Sequence, residues 1–199
     1  KCPVRSIINE MKKRSCATYL GGITLKAYPF STYNKQDYLN LLDVFLESIF
    51  HPLLNEISFM NECFYQEFED NDQTKQLIYG GIVYNEMKGQ FSNQNERIYH
   101  IFKEKFLPDS PERFYSAGLP NCIPKAKIKD VREYHSKYYH PSNAIFYHYG
   151  SIPSEEIFIK VNEIISTFSV CDLKFDINLL RQSKWSTPKE ITINESFNS

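Results

Sequence analysis

The sequence has no long hydrophobic run and no imbalance of charge. A run of roughly 18 consecutive apolar residues, which would predict a transmembrane helix, occurs nowhere in the chain. Lysine and arginine number 23 against 24 aspartates and glutamates, which leaves a formal net charge of −1 over 199 residues. A chain so close to neutrality gives no bulk electrostatic reason to expect a nucleic acid or an anionic membrane as its partner.

Common sequence signatures of disulfide, metal and phosphate sites are also missing. The five cysteines are odd in number, widely spaced and without a C-x-x-C pair, which argues against a disulfide framework or a zinc ribbon. They predict reduced thiols and an intracellular compartment. The five histidines form neither H-E-x-x-H nor the inverted H-x-x-E-H. Glycine is scarce, at seven residues, and the pairs Gly21-Gly22 and Gly80-Gly81 lack the spacing of a phosphate-binding loop.

What is present is the composition of a folded domain. Hydrophobic residues make up 42% of the chain and charged residues 24%, which excludes disorder for most of it. Surface scaling predicts about 9,700 Å² exposed when folded against roughly 34,000 Å² unfolded, so about 70% of the surface is expected to be buried. The chain starts with neither Met nor an apolar signal region, which suggests a processed or truncated product.

Apolar periodicity predicts six helices. Asn34 is the predicted N-cap of the clearest one, whose apolar residues recur at i, i+3 and i+4 until His51-Pro52 ends it. Ser154 is the predicted cap of the last helix, whose stripe, including Phe158, is expected to be buried. The other predicted helices cover residues 54–68, 80–91, 95–106 and 128–139.

Two segments alternate as strands do, residues 18–28 and residues 144–149. Residues 69–76 between predicted helices read as an acidic turn. Helices therefore outnumber strands, which predicts an α+β fold with a modest antiparallel or mixed sheet and helices packed on one face. Residues 1–170 are expected to form the folded part, and residues 171–199 an extended linker or edge segment.

Glu86 is the most notable candidate for chemistry. It follows Ile82 by four residues and Val83 by three, so the three share one face of a predicted helix beside Met87. A carboxylate on an apolar stripe is expected to face inward and to need a partner, because desolvation of a charge is costly. A salt bridge, a place at the edge of the stripe and a metal ligand all satisfy that need.

Several motifs in the same order resemble the pitrilysin/insulinase zinc metallopeptidases, in the branch of the presequence proteases and falcilysin. Residues 81–89, G-I-V-Y-N-E-M-K-G, resemble the branch's G-V-V-Y-N-E-M-K-G element. Residues 38–46 resemble the helix before its F-H-P corner, here residues 50–52. Residues 64–67 match F-x-Q-E, and residues 134–144 resemble F-H-x-x-Y-Y-H-P-S-N-A. The resemblance covers residues 1–150.

The resemblance implies a zinc peptidase fold and a role for Glu86. In that family two histidines of an inverted H-x-x-E-H motif and a distal glutamate hold the zinc, and Glu86 falls on the distal ligand. The inverted motif is absent from this chain, which implies an incomplete N-terminal peptidase domain that begins just downstream of it. One carboxylate does not hold zinc, because a catalytic site needs three protein ligands. The isolated chain is therefore expected to be inactive and not to retain zinc.

The family also binds peptides by adding them to a sheet edge. Its L-N-A-x-T edge strand aligns with residues 20–24, which makes Gly21, Gly22 and Ile23 the implied substrate-binding residues. Glycines replace the family's Asn and Ala there, and residues 117–120 depart from its G-G-x-P turn. The implied partners are peptide substrates and the rest of the family's clamshell, and the implied location is a mitochondrion or another organelle.

Two hypotheses follow. In the first, the chain is part of a zinc metalloendopeptidase that degrades short unfolded peptides. In the second, it is a non-catalytic interaction or scaffold subunit that kept the fold and lost the motif. The sequence immediately upstream discriminates between them, since an intact H-x-x-E-H supports the first.

Overall fold

A computed structural model describes residues 26–171 and 181–192, together with the backbone of residues 16–17 and 20–21. These residues form an α+β structure with six α-helices and three antiparallel strand pairs. The helices are α1 (Lys35–Phe50), α2 (Glu56–Glu62), α3 (Ile82–Ser92), α4 (Gln94–Phe106), α5 (Ile128–Tyr138) and α6 (Ser154–Ile165). The strands are β1 (Cys16–Ala17), β2 (Leu20–Gly21), β3 (Lys26–Ala27), β4 (Phe30–Ser31), β5 (Tyr65–Phe68) and β6 (Leu77–Gly80). None of the described helices combines the length and apolar character needed to span a lipid bilayer.

Helix α1 forms where its cap predicts it. The Asn34 side chain accepts a hydrogen bond from the Asp37 amide at 3.0 Å, which satisfies one of the free N–H groups of the first turn. At the other end His51 caps the helix, its amide donating to the Glu47 carbonyl at 2.9 Å, and Pro52 follows. The predicted helix and both of its ends are confirmed.

The main core lies between α1 and α6. Its buried members are Leu42, Leu46, Phe50, Ile157 and Val161. Two ion pairs flank this helix pair, Lys35–Glu156 at 2.8 Å and Lys160–Asp43 at 3.0 Å. Surface pairs of this kind stabilise by about 1 kcal/mol or less, so apolar burial holds the two helices together.

The N-terminal end and one face of α6 differ from expectation. Pro153 occupies the N-cap position and Ser154 is the first helical residue, so the predicted cap is one position off. Phe158, predicted to be buried, is 68% exposed. It follows Ile157 by one residue, and a helix turns about 100° per residue, so the two side chains point to different sides.

Residues 18–28 do not form one strand, contrary to prediction. Leu20 pairs with Ala27 and Gly21 with Lys26, so β2 and β3 are two antiparallel strands. The β1–β4 pair has the same register, with Cys16 opposite Ser31. Gly21 is the last residue of β2.

The predicted helix over residues 54–68 is also wrong beyond Glu62. Helix α2 begins after Asn55, whose side chain accepts from the Ser58 amide at 2.8 Å. The chain then becomes strand β5, which pairs antiparallel with β6 from Tyr65↔Gly80 to Phe68↔Leu77. Burial alternates along β5, with Tyr65 and Glu67 less exposed than Gln66 and Phe68, although the sequence itself does not alternate between apolar and polar residues. Pairing with β6 decides the structure of this segment. The predicted acidic turn at 69–76 connects the two strands.

The helices predicted after Gly80, near Asn95 and at Ile128 are confirmed as α3, α4 and α5.

Residues 144–149 are not paired as a strand with any part of the described chain, contrary to prediction. Residues 181–192 contain neither helix nor strand. The Gln182 Nε2 donates to Asp109 Oδ2 at 2.9 Å, and the Asp109 amide donates to Gln182 Oε1 at 3.0 Å.

Candidate functional site

Helix α3, which carries Glu86, is fixed at its start by a close approach of backbones. Gly81 has φ 126°, and a Cβ on it would lie 2.6 Å from the Cys63 carbonyl oxygen and 2.6 Å from the Phe64 Cα. The Tyr84 amide donates to the same Cys63 carbonyl at 3.2 Å. Glycine is therefore required at the entrance of α3, which places the helix directly against the start of β5.

An arginine from the next helix fixes the other end of α3. The Arg97 Nη1 donates to the Phe91 carbonyl at 2.8 Å and to the Ser92 carbonyl at 2.9 Å. The last carbonyls of a helix have no hydrogen-bond partner inside it and carry a partial negative charge. A guanidinium at that end donates hydrogen bonds to these carbonyls and compensates the negative charge. Helix α3 is consequently held in place at both ends.

Glu86 is exposed, so the expectation that it faces inward is wrong for this chain. Met87, the next residue, is 1% exposed and is the residue of α3 that enters the core. Ile82, four residues before Glu86 on the same line of the helix, is 45% exposed. Burial follows Met87, and the line through Ile82 and Glu86 faces solvent because it is turned away from that direction.

Three further polar side chains continue from Glu86. The Gln90 Nε2 donates to Glu86 Oε1 at 3.3 Å, and the Tyr115 hydroxyl donates to the opposite end of the same amide, Gln90 Oε1. Tyr115 also lies 3.4 Å from Glu96 Oε2. The amide thereby has both ends bonded, and its N–H group is held toward the Glu86 carboxylate.

The environment of Tyr115 favours its neutral form. Burial raises the pKa of Tyr115, and the nearby charges of Glu96 and Glu86, together with the hydrogen bond to Glu96, raise it further. The ring packs edge-on against Phe91, with centroids 4.8 Å apart, and against the buried His100, with centroids 6.1 Å apart. Tyr115 therefore joins the loop after α4 to the exposed polar line of α3.

Sequence reasoning missed Tyr115, Glu96 and His100 as members of this cluster. The Glu86–Gln90 bond has an i,i+4 spacing, so helix periodicity was a usable signal for that pair. Tyr115 is 25 residues from Gln90 in sequence, and no local pattern relates the two.

The described residues do not fit a zinc centre on their own. Within residues 26–171 and 181–192 no three His, Cys, Asp or Glu side chains are grouped to share a metal. The two histidines of the 134–144 motif have structural bonds: His135 Nε2 donates to the Ile49 carbonyl at 2.7 Å, and His140 Nδ1 accepts from the Ser142 amide at 3.1 Å. Glu86 offers one carboxylate ligand, and a catalytic zinc needs three protein ligands.

The implied peptide-binding residues fall at the limit of the described chain. The backbone of Gly21 belongs to β2 and pairs with Lys26 of β3. Gly22 and Ile23 lie outside the described residues.

No family model matches the chain. Whole-sequence comparison finds similar proteins, each named "Presequence protease, mitochondrial". The protein of Xenopus laevis is 36% identical over 198 residues, which is 97% of this chain and 19% of that protein. The Mus musculus protein is 37% identical over 200 residues, again 97% of this chain and 19% of its own length. The Danio rerio protein is 39% identical over 167 residues, 81% of this chain and 16% of that protein. The chain thus spans about a fifth of the length of these relatives.

Proposed function

Because this chain belongs to the presequence protease family of pitrilysin-type peptidases, we propose that it is one section of the peptidase body of a zinc metalloendopeptidase that degrades short unfolded peptides. The observation that carries the proposal is identity of 36–37% spread over 97% of the chain. Similarity of that extent covers the whole chain rather than one motif. The location of the relatives also supports a mitochondrial location for this protein.

In this proposal Glu86 is one ligand of the zinc in the intact enzyme. When bound, zinc would polarise the scissile carbonyl and lower the pKa of its water. The chain's own contribution is positional. Gly81 and Arg97 fix the two ends of α3, and Gln90 bonds to one oxygen of the Glu86 carboxylate. This role was predicted for an inward-facing carboxylate, whereas Glu86 is exposed in the described chain, so the role requires residues outside this chain to cover it.

Residues 1–170 would then be an incomplete N-terminal peptidase domain, and residues 171–199 a linker or edge segment. Peptide would add through backbone hydrogen bonds to the sheet edge that the resemblance assigns to Gly21, Gly22 and Ile23, a mode that tolerates varied side chains. We expect the isolated chain to have neither peptidase activity nor retained zinc, since a single carboxylate is an insufficient ligand set.

Metal analysis and peptide cleavage test the proposal, first on the 199-residue chain and then on the protein extended to the length of its relatives. The extended protein should hold one zinc and cleave an unstructured peptide in a chelator-sensitive way. Glu86→Gln should remove both properties, while the matched change Glu133→Gln on exposed α5 should leave both intact. Stoichiometric zinc or chelator-sensitive cleavage in the 199-residue chain would contradict the expected inactivity. An extended protein that folds without zinc or cleavage would favour the scaffold subunit instead.

A further inference from the structure

The Gln90 side-chain amide lies between Glu86 and Tyr115, and these two neighbours fix its direction. A carboxylate only accepts hydrogen bonds, so the end of the amide that lies 3.3 Å from Glu86 Oε1 is the NH₂ group. The Tyr115 hydroxyl then donates to the other end, Gln90 Oε1. Turning the amide around would place its oxygen against the carboxylate oxygen, where neither group donates. The series from Tyr115 through Gln90 to Glu86 therefore has one polarity, with each donor directed toward Glu86.

The ring of Tyr115 is the rigid end of this series. Its centroid lies 4.8 Å from that of Phe91 and 6.1 Å from that of the buried His100, edge-on in both cases. Phe91 belongs to α3 and His100 to α4, so the phenol is packed against both helices at once. Edge-to-face packing restricts the rotation of an aromatic side chain. The hydroxyl is consequently presented to Gln90 at a defined position.

The loop that carries Tyr115 is closed by its own hydrogen bonds. The side chain of the buried Ser110 accepts from the Glu112 amide at 3.2 Å. The Arg113 Nη1 donates to the Pro108 carbonyl at 2.7 Å. A loop ordered in this way has little conformational entropy left to lose when Tyr115 makes its hydrogen bond.

Glu86 differs from Tyr115 in how firmly it is held. Its side chain is exposed, and a long exposed side chain on a helix has several rotamers available. An exposed pair at i,i+4, such as Glu86 with Gln90, by itself stabilises one orientation only weakly. The bond from Tyr115 to the far end of the same amide restricts Gln90, which keeps the amide N–H directed at the carboxylate.

We propose that Tyr115 is a positioning residue that acts through Gln90 to hold the Glu86 carboxylate in one orientation on the exposed face of α3. The importance of this orientation for catalysis rests on the proposed function, in which Glu86 is a zinc ligand. Carboxylates that bind metals are oriented by hydrogen-bonding partners, and loss of such a partner typically weakens metal binding about 10–100-fold.

The mobility of the Gln90 side-chain amide, measured by ¹⁵N relaxation in the 199-residue chain, is the first test. In the wild-type chain the amide should be as ordered as the backbone of α3, and Tyr115→Phe should lower its order parameter below about 0.6. This variant retains the ring that packs on Phe91 and His100. Tyr99→Phe removes the hydroxyl of a tyrosine on α4 that is 58% exposed, and it should leave Gln90 unchanged. A mobile amide in the wild-type chain, or an unchanged order parameter in Tyr115→Phe, overturns the proposal.

The zinc dissociation constant of the extended protein, measured by competition with a chelator, is the second test. Tyr115→Phe and Gln90→Ala should each raise it about 10–100-fold. The double variant should bind no more weakly than the weaker single variant, because Tyr115 acts only through Gln90. Effects that multiply in the double variant would overturn this relay, as would wild-type affinity in Tyr115→Phe. Tyr99→Phe is again the control and should bind zinc as the wild type does.

The two measurements distinguish failure of this proposal from failure of the proposed function. An extended protein that folds without zinc, together with a Gln90 amide whose order depends on Tyr115, would refute the proposed function and leave the positioning of Glu86 standing. Equal zinc affinity in the wild type and in Tyr115→Phe would refute the positioning role and leave the proposed function intact.

Discussion

The backbone of Gly81 passes the Cα of Phe64 so closely that a methyl group on Gly81 would lie 2.6 Å from it. This contact joins the end of β6 to the start of β5 at the point where α3 begins. The direction of α3, and with it the position of Glu86, is set there. A small-residue requirement at one position thus controls the placement of the candidate ligand several residues later.

We expect Gly81→Ala to destabilise the chain by about 1–3 kcal/mol or more, since φ 126° at Gly81 is accessible essentially to glycine alone and the added methyl would overlap two backbone atoms. Gly89→Ala in the same helix is the matched control, because nothing lies within 4 Å of its added methyl. It should stabilise by about 0.5–1 kcal/mol through helix propensity. Urea unfolding followed by circular dichroism measures both, and changes of the same sign would contradict the role of Gly81.

Arg97→Ala removes two hydrogen bonds to the C-terminal carbonyls of α3 and should cost about 1–3 kcal/mol, because a charged donor bonds more strongly than a neutral one. Lys129→Ala is a suitable control, since Lys129 makes an exposed ion pair with Glu133 at 3.6 Å and its loss should change stability by less than about 1 kcal/mol. Denaturant midpoints of the two variants decide the matter. An unchanged denaturant midpoint in Arg97→Ala would show that the stability of α3 does not depend on this cap.

The pKa of Tyr115 is raised by burial and by Glu96 and Glu86, so its phenol should ionise above the usual value near pH 10. Glu96→Gln should lower that pKa, because it removes a nearby negative charge. The stability contributed by this shift is complete below the unfolded pKa and is lost as the pH rises through the folded pKa. NMR titration of labelled tyrosines, with Tyr115→Phe for assignment and Glu133→Gln as control, reads the shift directly. An unchanged or higher pKa in Glu96→Gln would refute the electrostatic contribution.

Leu42→Ala should destabilise the chain by about 2–5 kcal/mol, since Leu42 is buried between α1 and α6 and its truncation leaves a cavity. Ile159→Ala on the exposed side of α6 should change stability by no more than about 0.5 kcal/mol. Thermal unfolding of the two variants compares them. Comparable losses would mean that the core between α1 and α6 does not dominate the stability of the chain.

Local chemistry made some elements predictable. Asn34 and Asn93 accept hydrogen bonds from amides two or three residues ahead, and His51-Pro52 ends α1. Residues close in sequence therefore determine these helix boundaries. The family resemblance is carried by contiguous motifs in the same way. Ser154 shows the precision of such reasoning, since the boundary is one residue from the predicted one.

The prediction failed where a distant partner decided the structure. Residues 65–68 are a strand because residues 77–80 pair with them. The helix predicted over residues 54–68 rested on apolar periodicity, which does not reveal that pairing. Residues 144–149 read as a strand from alternation alone, yet the described chain supplies no partner for their backbone. Alternation shows which side chains point together, whereas hydrogen-bonding partners come from elsewhere in the fold.

The sequence by itself determined the helix boundaries that depend on caps and prolines, the α+β class and the family. Only the tertiary structure decided that Met87 rather than Glu86 enters the core, that Tyr115 bonds to Gln90, and that Gly21 pairs with Lys26. The physical reason is the separation along the chain between the residues that interact. A cap or a turn is completed by atoms within about four residues, whereas the burial of a side chain depends on whatever packs against it, at any distance along the chain.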